Sequence, residues 1–144
     1  MALSDEKVGE FLSALGARTP APASGAATAL TAALAAALVE LAARFAEDDE
    51  IASRANALAT RLTRLADEDS AAYTAFMAER NDETRRRIID VPEEIAASAD
   101  EIERLAEEVV QRVSRAVAGD AEAAAELARA ASRVARRLAS LNAD

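Results

Sequence analysis

The sequence predicts an all-α protein, an antiparallel up-and-down bundle of about five helices. Alanine, the strongest helix former, is the commonest residue, while glycine (4), proline (3) and aromatic residues (3%) are scarce. Apolar residues recur three and four positions apart over long stretches, which is typical of helices. The 144 residues are predicted to form a single domain, because they suffice for one core.

The first predicted helix begins at Ser4, which can cap it, and ends near Leu15, with Gly16 suited to its C-terminus. Residues 18–23 contain two prolines and cannot be helical, because each proline pushes the preceding residue into extended geometry. This segment is therefore predicted to be a distinctive loop that leads into the second helix.

The second predicted helix spans Ser24 to Ala46 and is apolar on almost every side, which predicts a central position. Acidic residues 47–50 mark a boundary, because carboxylates favour the positive start of a following helix. The third helix is predicted from Asp49 to Ala78. An a/d seam runs along it, formed by Ile51, Ala55, Leu58, Leu62, Leu65, Asp69, Ala72 and Phe76.

Proline and glycine divide the rest of the chain. A short helical piece is predicted through Ile89, and a fourth helix from Pro92 to Val117, because proline suits a first helical turn. Gly119 is predicted to end that helix and Asp120 to cap the fifth. The fifth helix is predicted to face inward with Leu127, Ala131, Val134, Leu138 and Leu141.

Charge and composition exclude several classes of function. A net charge of −9 argues against nucleic acid, whose phosphates require a basic surface. Without cysteine or histidine the chain has no thiolate nucleophile, no Ser-His-Asp triad and no HExxH site, so we expect neither a metal nor a cofactor. The longest apolar run, residues 26–41, is shorter than the roughly 20 residues of a membrane span. No basic segment opens the chain, so we expect no secretory signal peptide. We therefore expect a cytoplasmic protein without membrane contact.

The alanine-rich seams also predict self-association. A buried alanine contributes far less than the ~1.5–3 kcal/mol of a buried leucine, so a lone bundle of this kind has a thin core. A homodimer that buries a further helical face is the predicted state.

Asp69 is the clearest candidate for chemistry. A carboxylate on an apolar seam costs several kcal/mol unless it is paired or faces a wet cavity. Tyr73 lies four residues later on the same helix face, so the two side chains can meet. Asp69 is either an acid/base group in a pocket, with Tyr73 as a nearby donor, or a polar interruption at a kink or an exposed bundle end.

The proline-containing loop is the second candidate. It leads to a helix N-terminus, where free N–H groups and the helix dipole favour an anion or a carbonyl oxygen. Thr19 and Ser24 can add hydroxyls there, and Pro22 and Gly25 complete the predicted ligand-binding loop. The alternative is an ordinary helix cap after a proline-rich turn.

Four segments, in order along the chain, carry a family resemblance. They are Val8–Leu15, Thr19–Leu30, Leu65–Met77 and Val91–Ala96. Together they resemble the cyclodeaminase/cyclohydrolase family, which comprises formimidoyltetrahydrofolate cyclodeaminases and methenyltetrahydrofolate cyclohydrolases. A weaker match, Gly119–Asp120, is similar to a Ser-Asp pair in that family.

The resemblance implies a dimeric helical bundle, a folate one-carbon derivative as substrate, Asp69 as the acid/base and Asp120 as a further ligand-binding position. The sequence departs from the family in four places, of which two are the reduction of an Asn-rich helix end to Asn142 and the absence of a further C-terminal helix. A Gly-Gly-Gly-Ser loop is replaced by residues 23–26, in which Gly25 is the one remaining glycine. A basic segment between helices two and three is replaced by acidic residues 47–50.

The sequence is consistent with two functions. The first is a small-molecule enzyme of the cyclodeaminase or cyclohydrolase type, which would add water to, or eliminate ammonia from, an amidine or iminium carbon. Its carboxylate would shuttle the proton, and the helix N-terminus would hold an oxygen or anion. The second is a catalytically degenerate family member that serves as a binding or structural subunit.

Overall fold

The computed structural model describes all 144 residues and contains helices and no strands, which confirms the all-α prediction. A 3-10 turn, Leu3–Asp5, precedes five α-helices. These are α1 (Val8–Leu15), α2 (Ser24–Phe45), α3 (Asp49–Ala78), α4 (Asp82–Val110) and α5 (Arg115–Ala143).

Helices α2 to α5 form the bundle, and short turns make successive helices antiparallel. α2 packs against α3 and α5, and α4 packs against the same two neighbours. The short helix α1 buries no residue. Ser4 does not cap it, because residues 3–5 form a separate 3-10 turn and Lys7 precedes the helix. The five predicted helices are therefore four long ones and a short one beside them.

The start of α3 lies where the acidic run predicts it. Asp48 is its N-cap, and the side chain accepts a 2.9 Å hydrogen bond from the backbone N–H of Ile51. The predicted seam of α3 is buried except at Asp69 and Phe76, which are partly exposed. Helix α2 also matches its predicted range to within one residue.

Pro92 does not begin a helix, contrary to prediction, but lies buried inside α4. Proline lacks the N–H that would bond to the carbonyl four residues earlier, here that of Ile88. The side-chain Nδ2 of Asn142, from the last turn of α5, donates a 2.6 Å hydrogen bond to that carbonyl. A buried carbonyl without a partner costs about 1–3 kcal/mol. This bond between two helices therefore allows α4 to continue through the proline.

The boundary between the last two helices is also earlier than predicted. α4 ends at Val110, and α5 begins after its N-cap Ser114. Gly119 and Asp120 consequently lie inside α5 and neither end nor cap a helix. Local capping residues misled the prediction, because the turn is made by residues 111–114.

Alanine fills the interior of the bundle and lets the helices approach closely. Fully buried alanines lie along α2 and α5, and the largest fully buried side chains belong mainly to α3 and α4. The predicted inward positions of α5 are wrong at Leu127, Val134 and Leu141, which are exposed on its outer face. Leu138 is partly exposed, and Ala131 is buried as predicted.

Helix α2 is the one helix long and apolar enough to cross a membrane by length and composition. In the structure 56% of its most apolar 18-residue stretch is buried within the bundle. Such burial is what a central core helix shows.

Candidate ligand cavity around Asp69

A cavity of about 190 Å³ opens at the end of the bundle where α2 begins and α5 finishes. The loop before α2, the C-terminal half of α3, the proline of α4 and the last turns of α5 all contribute to its wall. The lining residues are Pro20, Ala21, Ala23, Ser24, Gly25, Asp69, Tyr73, Pro92, Leu138 and Asn142.

Gly25 and Asp69 are in direct contact at the base of this cavity. A Cβ atom added to Gly25 would lie 2.2 Å from the Cγ and from both carboxylate oxygens of Asp69. No side chain other than hydrogen fits there while the carboxylate keeps its position. The contact explains the role of the one glycine that remains in this loop, and it fixes the carboxylate against the first turn of α2.

The Asp69 carboxylate has no hydrogen-bond partner in the protein. Burial raises its pKa above the ordinary value, and desolvation is the one cause of that shift. The protonated and ionised forms are thereby brought closer in free energy near neutral pH. A carboxyl group in this condition is suited to accept and return a proton.

Three other polar groups of the wall are also unpartnered within the chain: the hydroxyls of Ser24 and Tyr73 and the side-chain oxygen of Asn142. Tyr73 is 37% exposed and lies at the mouth of the cavity. The cavity therefore presents donors and acceptors to whatever enters it, with one carboxylate and no cationic side chain.

The N-terminus of α2 contributes backbone groups to the same wall. Its N-cap is Ala23, whose side chain cannot accept a hydrogen bond, so the first-turn N–H groups have no side-chain cap. The side-chain cap of an ordinary helix start is therefore absent here.

The structure brings together four of the sequence-predicted site residues: Ser24, Gly25, Asp69 and Tyr73. Pro22 instead lines a neighbouring groove, and Thr19 is exposed with its hydroxyl directed to the carbonyl of Ala21 at 3.5 Å. Asp120 lies about 27 Å from the cavity along α5, at a rise of about 1.5 Å per residue. Its placement at this site is wrong, because α5 carries it to the opposite end of the bundle.

The neighbouring groove is open and largely apolar, with a volume of about 540 Å³. It runs along the face of α3 next to the one that carries Asp69, and Ala21 is common to both walls. Ser70 lines it with a buried Oγ that has no hydrogen-bond partner. The backbone N–H of Leu3 bonds to the Asp67 Oδ1 at 2.9 Å and holds the N-terminal turn beside this groove.

Sequence reasoning missed Pro92, Leu138 and Asn142 as wall residues. The first was assigned to a helix start and the second to the interior of the bundle. A proline within a helical pattern leaves one carbonyl free, so a polar side chain elsewhere had to serve it. The identity of that side chain depends on tertiary packing. No group of three or more acidic side chains is arranged to hold a metal ion.

The fold and the cavity together define the class: a helical-bundle protein with a desolvated carboxylate in a ligand-sized cavity at one end. A family profile described as formiminotransferase-cyclodeaminase matches residues 7–144, and the chain belongs to that family. The resemblance found in the sequence is thereby confirmed.

A solved structure agrees with this assignment at the level of fold. The crystal structure of formiminotetrahydrofolate cyclodeaminase from Thermotoga maritima superposes with a TM-score of 0.92. The match covers 98% of this chain and 80% of that one, at 21% sequence identity. No curated protein sequence matches the chain significantly.

Proposed function

We propose that the chain is a small-molecule enzyme of the cyclodeaminase/cyclohydrolase type that acts on an amidine or iminium carbon. The observation that carries the proposal is the Asp69 carboxylate, which is partly buried, unpartnered and in contact with a helix N-terminus inside a cavity. A folate one-carbon derivative is the substrate that family membership favours. We place this activity in the cytoplasm, in keeping with the burial of α2 in the bundle.

The proton balance of a cyclodeamination requires one group that acts twice. A substrate N–H nitrogen attacks the carbon of the protonated amidine, an amidinium, and the proton of the attacking nitrogen passes to the Asp69 carboxylate. The protonated carboxyl then gives that proton to the departing nitrogen, ammonia leaves, and the carbon–nitrogen double bond re-forms. General acid–base help of this kind typically accelerates a step by about 10²–10⁴-fold, and it is most effective when the pKa lies near the working pH.

The surrounding groups orient the reacting carbon. The uncapped N–H groups of the α2 first turn can hold an oxygen or anion of the substrate. The hydroxyls of Ser24 and Tyr73 can donate to it or accept from it. We infer that the reacting end of a folate would occupy the 190 Å³ cavity and that the remainder would lie outside it, along the adjoining apolar groove.

We also propose that the active state is a homodimer formed through the outer faces of α2 and α5. Leu34 and Phe45 on α2 are 64% and 66% exposed, and Val134 on α5 is 43% exposed. These side chains belong to apolar stripes with heptad-like spacing, on two helices that are neighbours in the bundle. A second copy of the same face is the complementary partner of such a stripe.

Light scattering tests the dimer. The wild-type chain is expected at twice its 15.1 kDa mass, and Leu34→Glu is expected to release monomers because it places a charge in the apolar stripe. Ala57→Glu, at an exposed position of α3, is the matched control and should remain dimeric. A wild-type mass of one chain at micromolar concentration would contradict the proposal.

A second candidate function is favoured by one observation. Ala23 and Ser24 place Cβ atoms in the cavity wall at positions where the resembled family has glycines. These atoms leave a ligand less room to approach the protein backbone. A non-catalytic binding subunit is consistent with that loss of space.

Ultraviolet absorbance distinguishes the two functions. The protein is mixed with formiminotetrahydrofolate or with methenyltetrahydrofolate, and conversion is followed by the change in absorbance of the folate. The enzyme proposal expects a change that scales with protein concentration and is lost in Asp69→Asn. Binding without any absorbance change favours the non-catalytic subunit.

A further inference from the structure

Asn142 stands at the junction of α4, α5 and the cavity. Its Nδ2 is bound to the carbonyl of Ile88, which Pro92 leaves without a helical donor, and the distance is 2.6 Å. The orientation of the amide follows from this bond. A reversed amide would place its oxygen against a carbonyl oxygen, and two acceptors repel.

The other end of the amide is therefore also fixed. Asn142 lines the cavity, and its Oδ1 makes no hydrogen bond within the protein. Pro92 lines the same cavity. The proline thus creates the free carbonyl that holds the asparagine, and the asparagine presents an acceptor at the wall shared with Asp69.

We propose that the Asn142 Oδ1 binds an N–H group of the ligand, and that Pro92 is the positioning residue that orients it. This inference rests on the proposed function of the cavity as a ligand site. It names the ligand class more closely: a planar, N–H-bearing cation such as an amidinium. One of its N–H groups pairs with the Asp69 carboxylate and another with the Asn142 oxygen.

The side chains that line the cavity favour a cation over an anion of the same shape beside Asp69 and Asn142. Its wall contains one carboxylate and no arginine or lysine, in a chain of net charge −9. Acetamidinium and acetate are close in size and planar shape and differ in charge and in hydrogen-bond role. Acetamidinium donates to both acceptors, whereas acetate offers oxygens to them and is repelled.

The structural duty of Asn142 can be measured apart from its ligand role. In Pro92→Ala the new backbone N–H supplies the carbonyl of Ile88 with its ordinary helical donor. Asn142→Ala alone should lower the melting temperature, and the same change in the Pro92→Ala background should lower it much less. The wild type, Pro92→Ala, Asn142→Ala and the double variant then form a cycle that measures how far Pro92 sets the effect of Asn142 on the ligand.

Calorimetric titration of the purified chain with acetamidinium chloride provides the readout, with sodium acetate as the control. We expect acetamidinium to bind about tenfold more weakly to Asn142→Ala than to the wild type, the effect of one lost hydrogen bond. The same change should matter much less in the Pro92→Ala background, where the amide is no longer held. Acetate, whose oxygens the α2 N–H groups can hold, should bind equally to the wild type and to Asn142→Ala. Equal acetamidinium affinity in the wild type and Asn142→Ala, an Asn142→Ala effect of the same size in both backgrounds, or tighter binding of acetate than of acetamidinium, would overturn the inference.

The same variants separate this inference from the proposed reaction. If wild-type protein fails to convert formiminotetrahydrofolate but acetamidinium binding still depends on Asn142, the ligand inference holds and the proposed reaction fails. If conversion proceeds at the same rate and the same KM in the wild type and in Asn142→Ala, the role of Asn142 is refuted while the reaction stands.

Discussion

Asp69 on α3 and Asp100 on α4 are both partly buried helical carboxylates, but they lie in opposite surroundings. Asp100 accepts a 2.6 Å hydrogen bond from Ser132 and is bonded by the guanidinium of Arg136, which holds the pKa of its carboxyl below the ordinary value. Asp69 has no partner, and burial raises its pKa.

The two partly buried carboxylates therefore have different roles. At the contact of α4 and α5 a carboxylate ties two helices together, and this region needs no ligand. At the end of the bundle the Asp69 carboxylate is desolvated and unpartnered, and a glycine, Gly25, is in contact with it. A purely structural carboxylate would not require that contact. An uncompensated carboxylate of this kind typically marks a functional site.

Gly25→Ala is expected to displace the Asp69 carboxylate without removing it. The added Cβ, 2.2 Å from the carboxylate, forces the side chain of Asp69 to rotate away from its position in the cavity. Turnover should fall by about 100-fold, the order expected when a reacting group is misplaced by about 1 Å. Stability should change little, because an improved helix propensity of about 1 kcal/mol offsets part of the rearrangement.

Gly119→Ala is the matched control for this substitution. Gly119 is also helical, and an added Cβ would meet no atom within 4 Å. This variant should be more stable by about 0.5–1 kcal/mol in urea unfolding and should retain wild-type turnover. Equal losses of turnover in the two alanine variants would contradict the special contact at Gly25.

Asp100→Ala is expected to have an intermediate effect, confined to stability. It removes the partner of Ser132 and Arg136, and Arg136 is largely solvated, so the loss should be only about 1 kcal/mol. Urea unfolding measures that loss, and turnover should be unchanged. A loss of turnover with an intact fold would show that the α4–α5 contact also serves the reaction.

Asp69→Asn should change stability least and, unlike Asp100→Ala, should increase it. Because the folded-state pKa of Asp69 is raised, the native chain binds more protons than the unfolded chain above pH ~3.9, and ionisation then disfavours the fold. The variant should match the wild type at low pH and become relatively more stable as pH rises through the folded pKa.

The same unfolding series gives the reverse result for Asp100. Its folded-state pKa is lowered, so its stabilising contribution is present above pH ~3.9 and disappears as pH falls through the folded pKa. The gap between wild type and Asp100→Ala should therefore shrink on acidification. Parallel pH profiles for the two variants would contradict the contrast between the two carboxylates.

Sequence patterns predicted the elements whose signals are local. The bounds of α3 follow from the acidic run and the Asp48 cap, and the seam of α3 exposed Asp69 as an anomaly. Ser24 and Gly25 followed from the proline-containing loop and the family resemblance. These features reside in a few consecutive residues or in one helical period.

The predictions that were wrong concern features that depend on contacts between helices. Pro92 is tolerated within α4 because Asn142, fifty residues away in the chain, serves the carbonyl of Ile88. Val134 and its neighbours follow a helical period that fits either face of α5, and the bundle places alanines inside because they allow closer packing. Asp120 has the chemistry of a cap, but the turn formed earlier at residues 111–114.

The proposed acid/base role of Asp69 is tested most directly by the rate at which Asp69→Asn converts formiminotetrahydrofolate, measured by absorbance beside the wild type. Asparagine preserves the shape of the side chain and removes its charge and basicity. We expect conversion by the wild type and a loss of about 10²–10⁴-fold in the variant, with unfolding stability unchanged or higher. Equal rates in the two proteins, or conversion by neither, would contradict the acid/base role.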